Sequence, residues 1–170
     1  MPVFEIIWSF LMLANLSMSI LMTVVVVTVH LTGLLLLLRF LRRNAHRAFK
    51  YDGLRNVLRQ GGMMVAVALG IFLLHAIEIW LYALAYVAVG AFKDFATSLY
   101  FSASAFSTLG IGDVVLGPDW RLFGAIEGVT GLILIGWSSA FLLSVTSRLR
   151  VLEHDWETNA ARTPAKRKRK

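Results

Sequence analysis

The chain has no cysteine among its 170 residues. That absence excludes a disulfide framework, thiolate metal sites and cysteine nucleophiles, and it carries no information about the compartment. The sequence also lacks a nucleophile paired with a base, a zinc-ligand cluster and a phosphate-binding loop. We therefore predict that the protein is not an enzyme and that it carries no resident cofactor.

The abundant component is apolar: 58% of the residues are hydrophobic, and the mean hydropathy is +0.70. The apolar residues form three long runs, near 6–38, 63–90 and 121–147. Each run meets the length of about 20 residues that a helix needs to cross a bilayer. The pattern predicts an all-α membrane protein with three transmembrane helices. The first run is not typical of a signal peptide, since it is too long, lacks a basic start and is followed by basic residues.

The first run is longer than a bilayer requires. We predict a membrane helix near 14–38, with residues 4–13 lying along the outer interface; a tilted continuous helix is the alternative. A basic loop over 39–62 is expected to follow, ended by Gly61-Gly62. The second membrane helix is expected to begin near Met63.

Basic residues are confined to two segments. Of the 17 Lys and Arg residues, seven lie in 39–59 and eight in 148–170, and only Lys93 and Arg121 lie elsewhere. Because basic loops stay in the cytoplasm, three spans require the N-terminus outside and the C-terminus inside. This places the protein in the plasma or inner membrane. The basic loop and tail are expected to contact anionic lipid rather than nucleic acid. No span carries regularly spaced arginines, so ordinary voltage sensing is not expected.

Residues 95–107 are apolar and helix-like, but 13 residues extend only about 20 Å and cannot span a bilayer. Such a segment is typical of a re-entrant helix, and Asp94 is a suitable N-cap. The glycine-rich residues 108–113 follow. Gly110 and Gly112 can adopt positive φ without penalty, so alternating them with ordinary residues can turn successive carbonyl groups the same way. At membrane depth, such backbone is tolerated only where it lines a pore.

The stretch Leu99-Tyr100-Phe101-Ser102, followed by Thr108-Leu109-Gly110-Ile111-Gly112-Asp113, resembles the pore loop of the potassium channel superfamily. The resemblance covers about 63–147 and implies an outer helix, a pore helix over 95–107, a filter over 108–113 and an inner helix over 121–147. It also implies a homotetramer that conducts K⁺ passively. The ion-binding residues would be Thr108, Leu109, Gly110, Ile111 and Gly112, with Asp113 at the outer mouth.

Two residues depart from the usual filter sequence of that family. Ile111 replaces an aromatic residue, and Leu109 replaces a valine. Ile111 offers packing against Tyr100 or Phe101 but no hydrogen bond. A weakly selective cation channel is therefore the nearer alternative, and a non-conducting accessory or scaffold protein is the more distant one.

Several further residues are candidates for a role in the pore. Glu127 is predicted to support the filter region, and Gly131 and Gly136 are possible gating hinges, although packing is the simpler role for a membrane glycine. Glu78 is a carboxylate inside a span and is therefore a functional candidate. His75 and Glu78 are spaced like half of a metal site, but the sequence offers no second pair, so metal binding is not expected there. His30 is expected to be a satisfied histidine of a membrane helix.

Overall fold

Four helices form the computed structural model, which describes residues 2–48 and 54–162, with side chains for 12–44 and 58–147. The helices are α1 (Pro2–Ala48), α2 (Leu54–Ala88), α3 (Phe95–Phe106) and α4 (Arg121–Arg162), and a short 3-10 turn, Pro118–Trp120, precedes α4. These described ranges contain no β-strand. Three stretches are long and apolar enough to cross a membrane: Met12–Asn44, Leu58–Ala88 and Pro118–Ser147. The all-α membrane fold with three spanning helices is confirmed.

The structure bears on the predicted start of the chain and corrects the predicted loop. α1 is one continuous helix from Pro2 to Ala48, which agrees with the alternative of a continuous helix, and the placement of residues 4–13 at the outer interface stays a prediction. Most of 39–62 is helical as well, because α1 continues to Ala48 and α2 begins at Leu54. Gly61 and Gly62 lie inside α2. Each costs about 1 kcal/mol relative to alanine, which a helix of 35 residues tolerates.

The C-terminal segment also differs from the expectation of a polar tail. α4 runs through the membrane and continues to Arg162. Residues 148–162 are therefore helical in backbone, because glutamate, leucine, arginine and alanine there favour helix. The basic run 166–170 lies outside the described residues.

α3 is short and capped at both ends. The backbone N–H of Thr97 donates to Asp94 Oδ1 at 2.8 Å, which holds the pKa of the Asp94 carboxyl below its usual range. The predicted N-cap is confirmed. At the other end, the helix stops at Phe106, one residue before the predicted end, and Ser107 is its C-cap. A helix of 12 residues reaches only about 18 Å. α3 therefore enters and ends among the spanning helices.

A core of aromatic residues holds α3 against the spanning helices. The core contains four buried aromatic residues: Tyr82 and Tyr86 of α2, Phe106 of α3 and Phe123 of α4. Val26 of α1 is buried with them. Tyr86 and Phe123 meet at 5.0 Å between ring centroids in an edge-to-face arrangement, which is a favourable geometry for aromatic pairs. This core fixes α3 between α2 and α4, and so positions the residues that follow α3.

α1 packs on α2 through reciprocal glycine contacts. A Cβ atom at Gly33 of α1 would lie 2.5 Å from a methyl carbon of Leu74, and one at Gly70 of α2 would lie 2.4 Å from a methyl carbon of Leu37. Each helix thus inserts a leucine over a glycine of the other. Close approach of this kind drives helix association in lipid, where no hydrophobic force acts between helices.

Candidate functional site

The glycine-rich segment after α3 has an alternating backbone. Thr108, Gly110 and Gly112 have φ values of 58°, 57° and 82°, and Leu109 and Ile111 between them have negative φ. The sequence predicted this conformation for the two glycines. A change in the sign of φ at every second residue turns successive peptide groups so that their carbonyls face one side.

Ser104 of α3 binds the amide side of this segment. Its carbonyl oxygen accepts the N–H groups of Leu109 at 3.0 Å and Gly110 at 3.3 Å. Its hydroxyl accepts the N–H of Ile111 at 3.2 Å. Three consecutive amides are thereby held toward the end of α3. Sequence reasoning missed Ser104, since serine in an apolar helix gives no signal of which backbone groups it will meet.

The carbonyl side of the segment is free of protein partners. Within residues 54–162, no carbonyl of 108–112 accepts a hydrogen bond. All five residues are exposed in the single chain, Leu109 to 68% and Ile111 to 54%. Unpaired carbonyls at membrane depth cost several kcal/mol each unless they line a cavity or bind an ion. The segment is therefore built to face something other than lipid.

Thr108 is the strained residue at the start of this segment. It is the single residue other than glycine with positive φ in the described backbone. A β-branched residue in this region is a genuine outlier, and such strain costs about 1–3 kcal/mol. Strain of this kind persists where the surrounding structure over-determines it, typically at functional sites. The sequence predicted Thr108 as a site residue but not its conformation.

The C-terminal end of the segment is tied to α3 by a hydrogen bond. Tyr100 donates its hydroxyl proton to Asp113 Oδ2 at 2.9 Å. Phe101 faces elsewhere: its ring meets those of Tyr86 at 5.3 Å and Phe92 at 5.3 Å, away from Ile111. Of the two expected supports, Tyr100 thus contacts the segment directly and Phe101 anchors the back of α3.

Glu127 of α4 joins three helices behind α3. Tyr86 of α2 donates to Glu127 Oε2 at 2.5 Å, and Ser102 Oγ of α3 lies 2.5 Å from Glu127 Oε1. Ser102 Oγ also lies 2.9 Å from the carbonyl oxygen of Ile79. A hydroxyl has one proton, so both contacts of Ser102 are satisfied together when the Glu127 carboxyl carries a proton. Glu127 is fully buried and supports α3 through Ser102 rather than through Asp113.

Glycines of α4 allow α3 to approach closely. A Cβ at Gly131 would lie 2.2 Å from the carbonyl oxygen of Phe106, and one at Gly128 would lie 3.2 Å from that of Ala105. Around Gly136, no described atom lies within 4 Å of such a Cβ. Gly131 thus allows close packing against the end of α3, whereas no contact in the described part of the chain requires a glycine at position 136.

A second polar cluster lies deeper among the helices. Glu78 of α2 contacts His75 of its own helix and His30 of α1, each through Nδ1 at 2.8 Å. His30 is thus satisfied at Nδ1, by a partner on α2, whereas its Nε2 atom has no partner among the described residues. The sequence could not pair residues 48 positions apart, since the rotation of α1 about its axis is set by packing.

The comparisons with known proteins were made against families, characterised proteins and solved structures. A family model described as "Ion channel" matches residues 61–148, just over half of the 170 residues. The chain belongs to this ion-channel family. Its family region contains α3, the alternating segment and the membrane part of α4, whereas α1 lies outside it. The searches of characterised proteins and of solved structures found no match. The family, which is of the two-transmembrane, potassium-channel-like type, identifies the protein as an ion channel.

A substitution at Ser104 tests the hydrogen bond between its hydroxyl and the Ile111 N–H. Ser104→Ala removes the bond to the Ile111 N–H and retains both bonds to the carbonyl oxygen, at a cost of about 0.5–1.5 kcal/mol per chain. We expect the K⁺ over Na⁺ permeability ratio, measured from reversal potentials, to fall at unchanged protein yield. Ser107→Ala is the matched control, because that hydroxyl bonds back to the Ala103 carbonyl at 2.6 Å. Equal loss in both variants would contradict the role of Ser104.

Proposed function

We propose that the protein is a homotetrameric channel that conducts K⁺ passively through rings of backbone carbonyls from residues 108–112. The observation that carries the proposal is the alternating φ at Thr108, Gly110 and Gly112, together with the amides of 109–111 bonded to Ser104. That arrangement leaves the carbonyls free on one side. Four chains contributing such carbonyls would replace the hydration shell of an ion.

The dipole of α3 supports cation conduction. Its C-terminal end carries the negative end of the helix dipole and leads directly into Ser107 and Thr108. Asp113 adds a negative charge at the other end of the segment, where it attracts cations. Both ends of the proposed filter thus favour a positive ion.

A shared axis is the simplest source of partners for the exposed segment. Each chain has one pore segment, and a ring closes by rotational symmetry. Beside the segment lies a groove of about 300 Å³ whose lining includes Ser104, Gly110, Gly124, Gly128 and Leu132. Small residues on this face suit close contact with a neighbouring chain. Subunit counting on the purified protein that conducts K⁺ tests the number four.

Orientation follows from the ends of the helices. Asn15, in the early part of α1, donates to the carbonyl oxygen of Asp119 just before α4. Leu41, near the end of α1, packs instead with Val145 of α4. The first contact is on the side of Asp113 and the second is beside the basic segments. The positive-inside rule therefore favours a multi-pass protein of the plasma or inner membrane, with the N-terminus and pore mouth outside and the C-terminus in the cytoplasm.

Anionic lipid is the proposed partner at the cytoplasmic end. A cavity of about 280 Å³ on α1 is lined by Leu36, Arg39, Phe40, Arg43 and Asn44. Two guanidinium groups beside apolar side chains suit a lipid headgroup and the start of its acyl chain.

Gly110→Ala tests the filter assignment itself. The added methyl group meets no described atom within 4 Å, so its effect comes from the positive φ, which penalises residues with a side chain by about 1–2 kcal/mol. Four copies of the change surround one proposed pore. We expect K⁺ flux into liposomes to fall at least about tenfold.

The matched control for this test is Gly117→Ala. Gly117 also has no described atom within 4 Å of an added Cβ, but its φ is −56°, which alanine adopts freely. It should conduct like the unmodified channel. Normal flux through Gly110→Ala would refute the carbonyl filter, and absence of flux from the unmodified protein in all conditions would favour an accessory subunit.

A weakly selective cation channel is the second candidate, and Ile111 supports it. The side chain of Ile111 cannot donate a hydrogen bond, and the residue remains 54% exposed in the chain. Among the described residues, the hydrogen bond from its backbone N–H to Ser104 is the one that holds this position. Reversal potentials in opposed K⁺ and Na⁺ gradients distinguish the two, since equal permeability would remove K⁺ selectivity and retain the channel.

A further inference from the structure

We propose that His30, His75 and Glu78 form a binding site for a divalent transition metal of the Zn²⁺ class between α1 and α2. One ligand atom from each residue lies within 4.8 Å of the other two. The Nδ1 atoms of both histidines are 2.8 Å from the two oxygens of the same carboxylate. Ligands about 2.0 Å from a tetrahedral Zn²⁺ are about 3.3 Å apart, so small side-chain movements would make room for the ion.

The donor set selects the type of metal. Two imidazole nitrogens and one carboxylate suit Zn²⁺ and its neighbours, whereas Ca²⁺ and Mg²⁺ prefer oxygen ligands alone. Three protein ligands also leave a fourth position for water. Because Glu78 is fully buried inside a span, a positive partner would offset the cost of its charge in the membrane.

Both nitrogens of the buried His30 ring bear on ligation. Nδ1 contacts Glu78 at 2.8 Å, and Nε2 has no hydrogen-bond partner among the described residues. A metal needs a deprotonated nitrogen, so binding at Nδ1 would release the proton that now lies between His30 and Glu78.

A cavity gives the cluster an entry path. His75 lies on the wall of a cavity of about 470 Å³ between α2 and α4, and its side chain is 16% exposed. Ser138 Oγ is on the same wall and is buried without a hydrogen-bond partner in the described part of the chain. The lining of the cavity is mainly apolar, so His75 is the group through which an ion in this space would meet the cluster.

The cluster contacts every helix of the subunit. The His30 ring is 6.3 Å from the Trp137 ring of α4, and the His75 ring is 5.7 Å from the Phe106 ring at the end of α3. A bound metal would therefore fix α1 to α2 directly beneath the start of the proposed filter. The inference does not depend on which ion the pore conducts.

Metal binding to the full chain in nanodiscs tests this site. Protein stripped with a chelator is titrated with ZnCl₂, and bound zinc is measured by elemental analysis after dialysis. We expect one Zn²⁺ per chain in the unmodified protein. The variants His30→Ala and Glu78→Gln should each weaken Zn²⁺ binding at least about 100-fold. Losing a residue that only orients a ligand weakens metal binding by about 10- to 100-fold, and losing a ligand should cost at least as much. His46→Ala is the control and should bind like the unmodified protein.

Co²⁺ gives a second readout that needs no variant. When Co²⁺ is bound at this site in the unmodified protein, the sample should show the visible absorption of tetrahedral Co²⁺. Added Zn²⁺ should displace the Co²⁺ and remove that absorption. Absence of zinc after dialysis, or equal zinc in the unmodified protein and His30→Ala, would overturn the proposal. The cluster would then be a hydrogen-bonded carboxylate with two histidines.

Discussion

Gly131→Ala is expected to prevent the subunit from forming a stable pore. The new Cβ would lie 2.2 Å from the carbonyl oxygen of Phe106 and 2.9 Å from its Cα and carbonyl carbon. These are backbone atoms at the end of α3, so the clash cannot be relieved by a side-chain rotation. Overpacking typically costs about 1–3 kcal/mol, and this contact belongs at the upper end or above it. Any shift of Phe106 also displaces Ser107 and Thr108.

Thermal unfolding in detergent and K⁺ flux in liposomes measure this effect. Gly128→Ala should be intermediate, because its Cβ would lie 3.2 Å from the carbonyl oxygen of Ala105. Gly136→Ala should unfold like the unmodified protein, since no described atom lies within 4 Å of its added Cβ. Comparing the three variants separates a packing role of these glycines from a role as a gating hinge. If Gly131→Ala were as stable and as conductive as the unmodified protein, the close approach of α3 and α4 would be wrong.

Glu127→Ala is expected to destabilise the subunit by several kcal/mol. The substitution leaves the buried Tyr86 hydroxyl without its acceptor, which costs about 1–3 kcal/mol, and it removes one contact of Ser102, which keeps its bond to the Ile79 carbonyl. The removed side chain also leaves a cavity, which adds to the loss. We expect a large fall in unfolding temperature and loss of K⁺ flux, because α3 loses its side-chain bond to α4.

Glu127→Gln distinguishes the two protonation states of this carboxyl. A glutamine amide can accept from the Tyr86 hydroxyl and donate to Ser102 Oγ, which then donates to the carbonyl of Ile79. This is the pattern of a protonated carboxyl, so Gln should retain most of the stability that Ala loses. If Glu127→Gln destabilised the protein as much as Glu127→Ala, the carboxyl would be ionised and Ser102 would donate to it.

The features that could be predicted are those that depend on residues close together in the sequence. Span length, the N-cap at Asp94 and the positive φ of Gly110 and Gly112 all follow from local composition. The short length of 95–107 was enough to predict a helix that cannot cross the bilayer. These features led to the channel family before any contact was known.

Contacts between distant helices could not be predicted from the sequence alone. The bond of His30 to Glu78 depends on which face α1 turns toward α2. Asn15, Thr23 and His30 share one face at helical spacing, but the sequence alone does not show which helix that face meets. The clamp by Ser104 depends on the path of the backbone after α3. The helical extensions at 39–48 and 148–162 were missed because basic and polar composition was interpreted as loop, although arginine and glutamate are good helix formers.

Polar bonds fasten α1 to its neighbours at three levels: Asn15 to the Asp119 carbonyl, Thr23 to Thr130 at 3.3 Å between hydroxyl oxygens, and His30 to Glu78. A version of this channel trimmed to its last two spans would turn Glu78 and Thr130 toward hydrocarbon without their partners on α1, although Glu78 would keep its bond to His75. We therefore expect the smallest working unit to be a three-span subunit, although the family to which the chain belongs is recognised from two.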